Sequence, residues 1–298
     1  MVVRAILLAV LCGLGVLIAA QPQDRPFVIR NVRVFDGVSV RQHQSVVVRD
    51  GHIESIGPAD ALVVPDGAEE LEEDGRTLLP GLIDAHVHID PLRTIEALGR
   101  ALVLGVTTVV TPTIAEPPEG SHLADVKISE RSEAHLLVGA TGVVDLGHLV
   151  TRSNSFVIPT LSVLYRLCET PDAAAVLSSC QEAREAIRQL GAADAVVLAG
   201  TDAPFPGTTY DASLHWELEH LVEAGMTPTA ALRAATSAAA DAFQMPDRGR
   251  IAPGLRADLV LVNGDPTSQI RATRSIEAVW KRGVRVPRTP WVMAELCS

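Results

Sequence analysis

The sequence predicts an α/β protein with a parallel sheet of βα units in its middle and β-rich segments at both ends. Between residues 78 and 246, apolar runs of strand length alternate with helical patterns, and this alternation favours βα units and a parallel sheet. Residues 27–77 and the stretch after residue 256 instead contain short β-rich runs bounded by Gly, Asn or Pro. The two ends therefore differ from the middle in their predicted structure.

The middle of the chain contains six runs of strand length. They lie near residues 82–88, 106–111, 124–128, 142–148, 156–160 and 195–201. Residues 168–190 are predicted to be helical, and an apolar stripe over residues 211–225 predicts a further helix. Thr227 followed by Pro228 is typical of a helix N-cap and of the first helical position.

The clearest turn signal lies in the amino-terminal β-rich segment. The stretch "SVVVRDGHIESIG" places Asp50-Gly51 between two β-rich runs, which predicts a hairpin with a two-residue loop. At the other end of the chain, residues 257–266 and 276–286 also form short β-rich runs bounded by Gly, Asn or Pro.

Residues 1–20 are predicted to be a signal peptide. Arg4 precedes an apolar run from Ala5 to Ala20, which is short for a spanning helix of about 20 apolar residues. The small residues at the end of the run suit cleavage. We therefore expect a secreted or periplasmic protein, with an N-terminal membrane anchor as the alternative.

The composition narrows the classes of partner. The formal net charge is −11 and no basic cluster occurs, which argues against nucleic acid, where phosphate neutralisation supplies most of the affinity. The same charge argues against binding to an anionic membrane surface. Association of the chain into an oligomer stays open.

The segment "LLPGLIDAHVHID" ends in two histidines. Alternate residues of a strand share a face, so His86 and His88 are predicted to lie on one side, about 7 Å apart, where they can share a metal ion. They close a strand of the βα array, where such proteins place their active sites. Asp84 lies one step deeper on that face and is predicted to orient an imidazole. The alternative is a hydrogen-bonded histidine pair in a loop.

Two further strand ends carry groups of the same type. "VVLAGTDAP" ends its apolar run at Asp202, a carboxylate that can bind a divalent ion and take a proton from water. In "VVDLGHL", His148 closes another apolar run. Alternatively, Asp202 caps a helix or lies in a turn, and His148 has a structural role.

Four motifs resemble the amidohydrolase superfamily, in its imidazolonepropionase-like and Xaa-Pro dipeptidase-like branch. They are "LLPGLIDAHVHI", "VVLAGTDAP", "SLHWELEHLVEAGMTPTAALRAAT" and "DRGRIAPGLRADLVLVNGDP", and they occur in the family's order. The resemblance implies a TIM-like (β/α)8 barrel beside a small β-sandwich formed by both chain ends. The expected domains are 78–246 for the barrel and 21–77 plus 247–298 for the sandwich.

The resemblance also implies metal-dependent hydrolysis of an amide, cyclic amide or Xaa-Pro-type C–N bond in a small-molecule or dipeptide-like substrate. His86 and His88 would be metal ligands from strand one, and His148 would be the strand-six histidine. Asp202 would be the last-strand ligand and the general base. The expected cofactor is a divalent metal, with zinc first.

The predicted barrel is incomplete, because about six strands are found where the family has eight. The shortage falls between residues 112 and 142, where the family places a strand-four lysine and a strand-five histidine. Lys127 is a candidate for the strand-four lysine. Its spacing from His148, however, leaves open whether it lies on strand four or on strand five. His86, His88 and Asp202 still supply the three protein ligands that a catalytic zinc usually has.

Two side chains are weaker candidates for substrate contacts. His215 resembles a family position near the pocket, and Tyr165 is placed to reach a pocket mouth. For both, the alternative is a surface or packing role. A Cys168–Cys180 disulfide is also open, since an oxidising compartment would permit it.

Two hypotheses follow for the function. The first is a metal-dependent amidohydrolase that uses a metal-activated water. The second is a shortened homologue that is catalytically impaired or inactive and acts as a binding protein.

Overall fold

The computed structural model describes residues 25–90, 93–112, 123–129, 156–168 and 177–288, with the backbone alone for 177–180. The described strands are, in chain order, β1 (Phe27–Phe35), β2 (Val40–Arg49), β3 (His52–Pro58), β4 (Glu69–Glu72), β5 (Arg76–Pro80), β6 (Leu82–Asp84), β7 (Val106–Thr111), β8 (Asp125–Ile128), β9 (Phe156–Val157), β10 (Val196–Val197), β11 (Leu259–Asn263), β12 (Ile276–Lys281) and β13 (Val284–Arg285). The described α-helices are α1 (Thr94–Val103), α2 (Leu161–Cys168), α3 (Leu177–Ala192), α4 (Ser213–Glu223), α5 (Pro228–Ala234) and α6 (Ser237–Ala242), and a 3₁₀ helix covers Ile270–Arg274.

Strands from both chain ends share one sheet. Its order is β13-β12-β11-β5-β1-β2-β3, and β4 pairs with the first part of β1. β5 and β11 are antiparallel and bring residues 76–80 against residues 259–263. The β-rich texture predicted for the two ends is therefore confirmed, and the ends meet in one eight-stranded sheet.

The hairpin predicted at Asp50-Gly51 is present. β2 and β3 pair antiparallel up to Arg49 and His52. Asp50 and Gly51 have φ angles of +49° and +75°. A two-residue hairpin loop of this kind needs positive φ at both positions, which Asp and Gly tolerate.

The middle of the chain forms parallel strand pairs. β6, β7 and β8 make one sheet and β9 and β10 another. A parallel bridge between Val87 and Ala203 brings the segments after β6 and β10 together. Five of the six predicted runs contain a described strand, and the sixth, 142–148, lies outside the described residues. The six-strand count therefore stays a prediction.

The helical predictions need one correction. α4 matches the predicted helix at 211–225, and Thr227 caps α5 by accepting a 3.2 Å hydrogen bond from the backbone N–H of Ala230. The helix predicted at 168–190, however, is preceded by α2, which begins at Leu161. The buried carboxylate of Glu217 stabilises the first turn of α2, because it accepts the N–H groups of Leu161 and Ser162. These are helix-terminal donors that otherwise lack a partner.

A buried ion-pair network joins the amino end of β8 to the shared sheet. Asp125 Oδ2 lies 2.9 Å from Lys281 Nζ, 2.6 Å from Arg256 Nη2 and 2.5 Å from Arg248 Nη1. The Lys281 side chain is 4% exposed and also contacts Asp258. This network therefore ties the βα region to the shared sheet near the first residues of β7 and β8.

Among the described residues, no helix has the length and apolar character needed to cross a membrane.

Candidate metal centre

Three side chains converge where β6 and β10 end. The Nε2 atoms of His86 and His88 lie 3.2 and 3.0 Å from Oδ1 of Asp202. One ligand atom from each of the three residues lies within 4.8 Å of the others. Since Asp202 is 116 residues from His86 in the chain, the fold itself creates this cluster.

Backbone hydrogen bonds hold the two segments side by side. The carbonyl of His86 accepts the N–H groups of Thr201 and Asp202 at 3.1 and 2.9 Å, and the N–H of His88 donates to the Ala203 carbonyl at 2.7 Å. Asp202 itself has a φ of +56°, in a region that aspartate enters more readily than most residues. Both histidines follow β6 rather than lying within it.

Gly200 allows the last strand to approach His86. A Cβ at residue 200 would lie 2.5 Å from the Ile158 side chain and 2.9 Å from the His86 backbone nitrogen. A larger residue would therefore push the Asp202 segment away from His86. The glycine in "AGTD" thus has a packing role at the centre.

Asp84 links the two ligand segments. It accepts hydrogen bonds from the backbone N–H groups of His86 and Thr201 and a 2.7 Å bond from Thr201 Oγ1. The sequence predicted that Asp84 orients an imidazole, whereas these bonds fix the backbone of one ligand and the neighbour of another. Burial raises the pKa of Asp84 to about 7, against the lowering effect of these hydrogen bonds.

The cluster is buried on one side and open on the other. The side chain of His86 is 0% exposed, that of Asp202 17% and that of His88 47%. A water molecule or a substrate can therefore approach from the side of His88. Catalytic metal sites need such an open position.

The donor set fits a divalent metal such as zinc. Two imidazole nitrogens and one carboxylate oxygen are typical zinc ligands. Ligand atoms about 2.05 Å from a tetrahedral zinc lie about 3.3 Å apart, and the two Nε2–Oδ1 distances here are 3.2 and 3.0 Å. The three ligand atoms are therefore close enough to share one ion.

Lys127 lies on β8, which pairs directly with β7. It is therefore third in the order of this sheet, and its correspondence to strand four or strand five of the family stays a prediction. Lys127 lies opposite Val110 and lines a cavity of about 420 Å³ together with Asp125, Arg248 and Arg282. His148 lies outside the described residues.

The two weaker candidates have other contacts. His215 is buried, and its Nε2 donates to the carbonyl of Leu104 at 2.9 Å. Burial lowers its pKa to about 4. The ring of Tyr165 stacks on His220 at 4.2 Å, and its hydroxyl accepts a hydrogen bond from Arg184. These contacts are structural, and none of them involves the three-residue cluster. Cys168 is disulfide-bonded, and the side chain of Cys180 lies outside the described residues.

Sequence reasoning missed two residues near the centre. Tyr210 donates a 2.7 Å hydrogen bond to the carbonyl of His88, and Glu217 holds the start of α2 after β9. Glu217 lies three residues from Leu214, on the buried stripe of α4. A carboxylate on an apolar stripe is a signal that could have marked it.

Comparisons with known proteins find a matching family and several relatives. The chain matches the amidohydrolase family over residues 105–286. Adenine deaminase 2 of Rhizobium etli is 28% identical over 82% of this chain and 55% of that protein. Imidazolonepropionase of Streptomyces griseus is 39% identical over 33% of this chain and 26% of that protein. The chain thus spans about half the length of the first of these curated relatives and about a quarter of the length of the second.

Solved structures share the fold. A Xaa-Pro dipeptidase with methionine bound in its active site superposes with a TM-score of 0.69 at 17% identity, covering 88% of this chain and 99% of that chain. Phenylurea hydrolase B gives 0.70 at 19% identity, covering 88% and 97%. At these identities the likeness concerns the fold.

Proposed function

This chain belongs to the amidohydrolase family, and we propose that it is a metal-dependent hydrolase that cleaves a carbon–nitrogen bond in a small-molecule or dipeptide-like substrate. The observation that carries the proposal is the convergence of His86, His88 and Asp202 at the ends of two strands. Two imidazoles and a carboxylate at this spacing can bind one metal ion together.

A divalent ion, with zinc first, would supply Lewis acidity that polarises a substrate carbonyl and lowers the pKa of a water molecule. His86 would hold it from the buried side, and His88 and Asp202 from the side that opens to solvent. Three protein ligands leave the further position that hydrolysis requires.

Asp202 is the proposed proton acceptor. The oxygen of the attacking water bonds to the substrate carbon, and Asp202 takes the proton that this water loses. The carbon–nitrogen bond then breaks, and the nitrogen leaves with that proton. The half-exposed His88 lies toward the substrate, and His148 remains the predicted neighbour of the water or the substrate.

The substrate class follows from what the relatives' names have in common. They name a deaminase, an imidazolonepropionase, a dipeptidase and a phenylurea hydrolase. Such activities have in common the hydrolysis of a bond between nitrogen and a trigonal carbon. We therefore propose an amide, a cyclic amide or a Xaa-Pro bond for this chain.

The domain organisation and the export of the chain belong to the same proposal. Residues 78–246 would form an incomplete barrel of about six strands, and residues 21–77 with 247–298 a small β-sandwich domain. The sheet that joins both chain ends supports a domain made from both ends, with β5 crossing the proposed boundary at residue 78. Residues 1–20 would direct secretion or export to a periplasm.

Metal analysis of the purified chain tests the proposal. We expect about one equivalent of zinc after growth with zinc, and its loss in His86→Ala. The matched control is His52→Ala, because His52 lies exposed at the hairpin of the shared sheet. Release of amine from a panel of N-acyl, cyclic amide and Xaa-Pro compounds then identifies the substrate. A chain that holds no metal under these conditions would instead support the second hypothesis, a shortened homologue that is catalytically impaired or inactive and acts as a binding protein.

A further inference from the structure

A tyrosine hydroxyl lies on the backbone of the exposed ligand. Tyr210 Oη donates to the carbonyl oxygen of His88 at 2.7 Å. This bond joins a side chain and a backbone group that lie 122 residues apart in the chain.

His88 needs such support more than His86 does. The ring of His86 is fully enclosed, whereas the side chain of His88 is 47% exposed. Packing therefore fixes His88 less firmly than His86, so the backbone contacts of His88 matter more. Its N–H donates to Ala203, and its carbonyl accepts the hydroxyl of Tyr210.

The same bond closes the loop that carries the third ligand. Tyr210 follows Asp202 by eight residues and precedes α4 by three. The hydrogen bond therefore ties the far end of the Asp202 loop to the residue that bears the second imidazole. The Asp202 loop is therefore joined to the His88 segment at both of its ends. An ion shared by His88 and Asp202 would bind between these two joined segments.

We propose that Tyr210 is a positioning residue of the metal centre, whose hydroxyl holds the His88 segment in place and thereby strengthens binding of a divalent ion. This inference rests on the proposed function. Ordering a ligand before the ion binds removes part of the entropic cost of binding. Groups that hold metal ligands in place are typically worth 10–100-fold in metal affinity.

The test compares the two tyrosines of the chain. Tyr210→Phe removes the hydroxyl and keeps the ring, and Tyr165→Phe does the same where the hydroxyl meets Arg184. Zinc affinity of the metal-stripped proteins is measured by competition with a chromogenic chelator. We expect about tenfold weaker zinc binding in Tyr210→Phe and wild-type affinity in Tyr165→Phe.

A second measurement separates positioning from general damage. In metal-free Tyr210→Phe, amide hydrogen exchange should rise in peptides that cover residues 86–90 and stay unchanged over residues 161–168, with the unfolding midpoint in urea retained. Equal zinc affinity in Tyr210→Phe and wild type overturns the inference while the proposed function stands. Equal losses in both tyrosine variants, or faster exchange throughout the chain, also overturn it. A wild-type chain that binds no zinc overturns both proposals.

Discussion

Thr201 Oγ1 donates a 2.7 Å hydrogen bond to Oδ2 of Asp84, entirely within the protein interior. The same hydroxyl oxygen accepts the N–H of Ala203 at 3.2 Å. Asp84 ends β6 two residues before His86, and Thr201 precedes Asp202. This contact therefore joins the two segments that form the candidate metal centre, from below the ligands.

Replacing Thr201 with valine tests this link. Thr201→Val keeps the shape but leaves an oxygen of Asp84 and the N–H of Ala203 without their partner, and a buried group left in this way costs about 1–3 kcal/mol. We expect the free energy of unfolding in urea to fall by that amount. Thr201→Ser keeps the hydroxyl and should lose much less. Equal losses in the two variants would show that the methyl group matters and the hydrogen bond does not.

Gly200→Ala should disturb the centre through sterics alone. The new Cβ would lie 2.5 Å from Ile158 and 2.9 Å from the nitrogen of His86, and overpacking of this kind costs about 1–3 kcal/mol. We expect lower stability together with weaker zinc binding. Gly191→Ala is the control, because nothing lies within 4 Å of its Cβ position in α3, and it should stabilise the helix by about 0.5–1 kcal/mol. Unchanged zinc affinity in Gly200→Ala would contradict the packing role.

Local signals allowed the sequence to predict several features correctly. Asp50-Gly51 fits the turn because both residues tolerate positive φ, and Thr227 caps α5 because its oxygen reaches an N–H three residues ahead. The strand-end positions of His86 and Asp202 followed from apolar runs and from the family resemblance. Apart from the family resemblance, each of these signals is contained within a few residues of the chain.

Long-range contacts decided what the sequence did not predict. Glu217 starts α2 from 56 residues away, and Tyr210 contacts His88 from 122 residues away. The position of Lys127 in the sheet depends on which strand β8 pairs with, and no local pattern contains that information. Asp84 had the predicted importance but different partners, because Thr201 meets it only after folding.

Removing Asp125 should weaken the junction between the βα region and the shared sheet. Burial by itself would raise the pKa of Asp125, but the charges of Lys281 and Arg256 outweigh this effect and hold the pKa well below its ordinary range. Asp125→Ala leaves Lys281 buried with Asp258 as its remaining carboxylate, so we expect a loss of about 3 kcal/mol in urea unfolding.

Asp241→Ala is the matched control for Asp125→Ala. Asp241 pairs with Arg250 but is 63% exposed, and exposed pairs contribute about 0–1 kcal/mol. A loss in Asp125→Ala as small as that of the control would mean that the buried network adds no stability.

His215 should make stability fall in mild acid. Its pKa is lowered to about 4 by burial, and an unfolded histidine has a pKa of about 6.5. Between these values the unfolded chain binds more protons, so the contribution of neutral His215 is complete above pH 6.5 and is lost as the pH falls toward 4. His215→Asn removes the titrating ring. We expect the stability difference between wild type and His215→Asn in urea to shrink from pH 7 to pH 5, with His52→Asn as the exposed control. A difference that stays constant over this range would show that His215 is not buried in its neutral form.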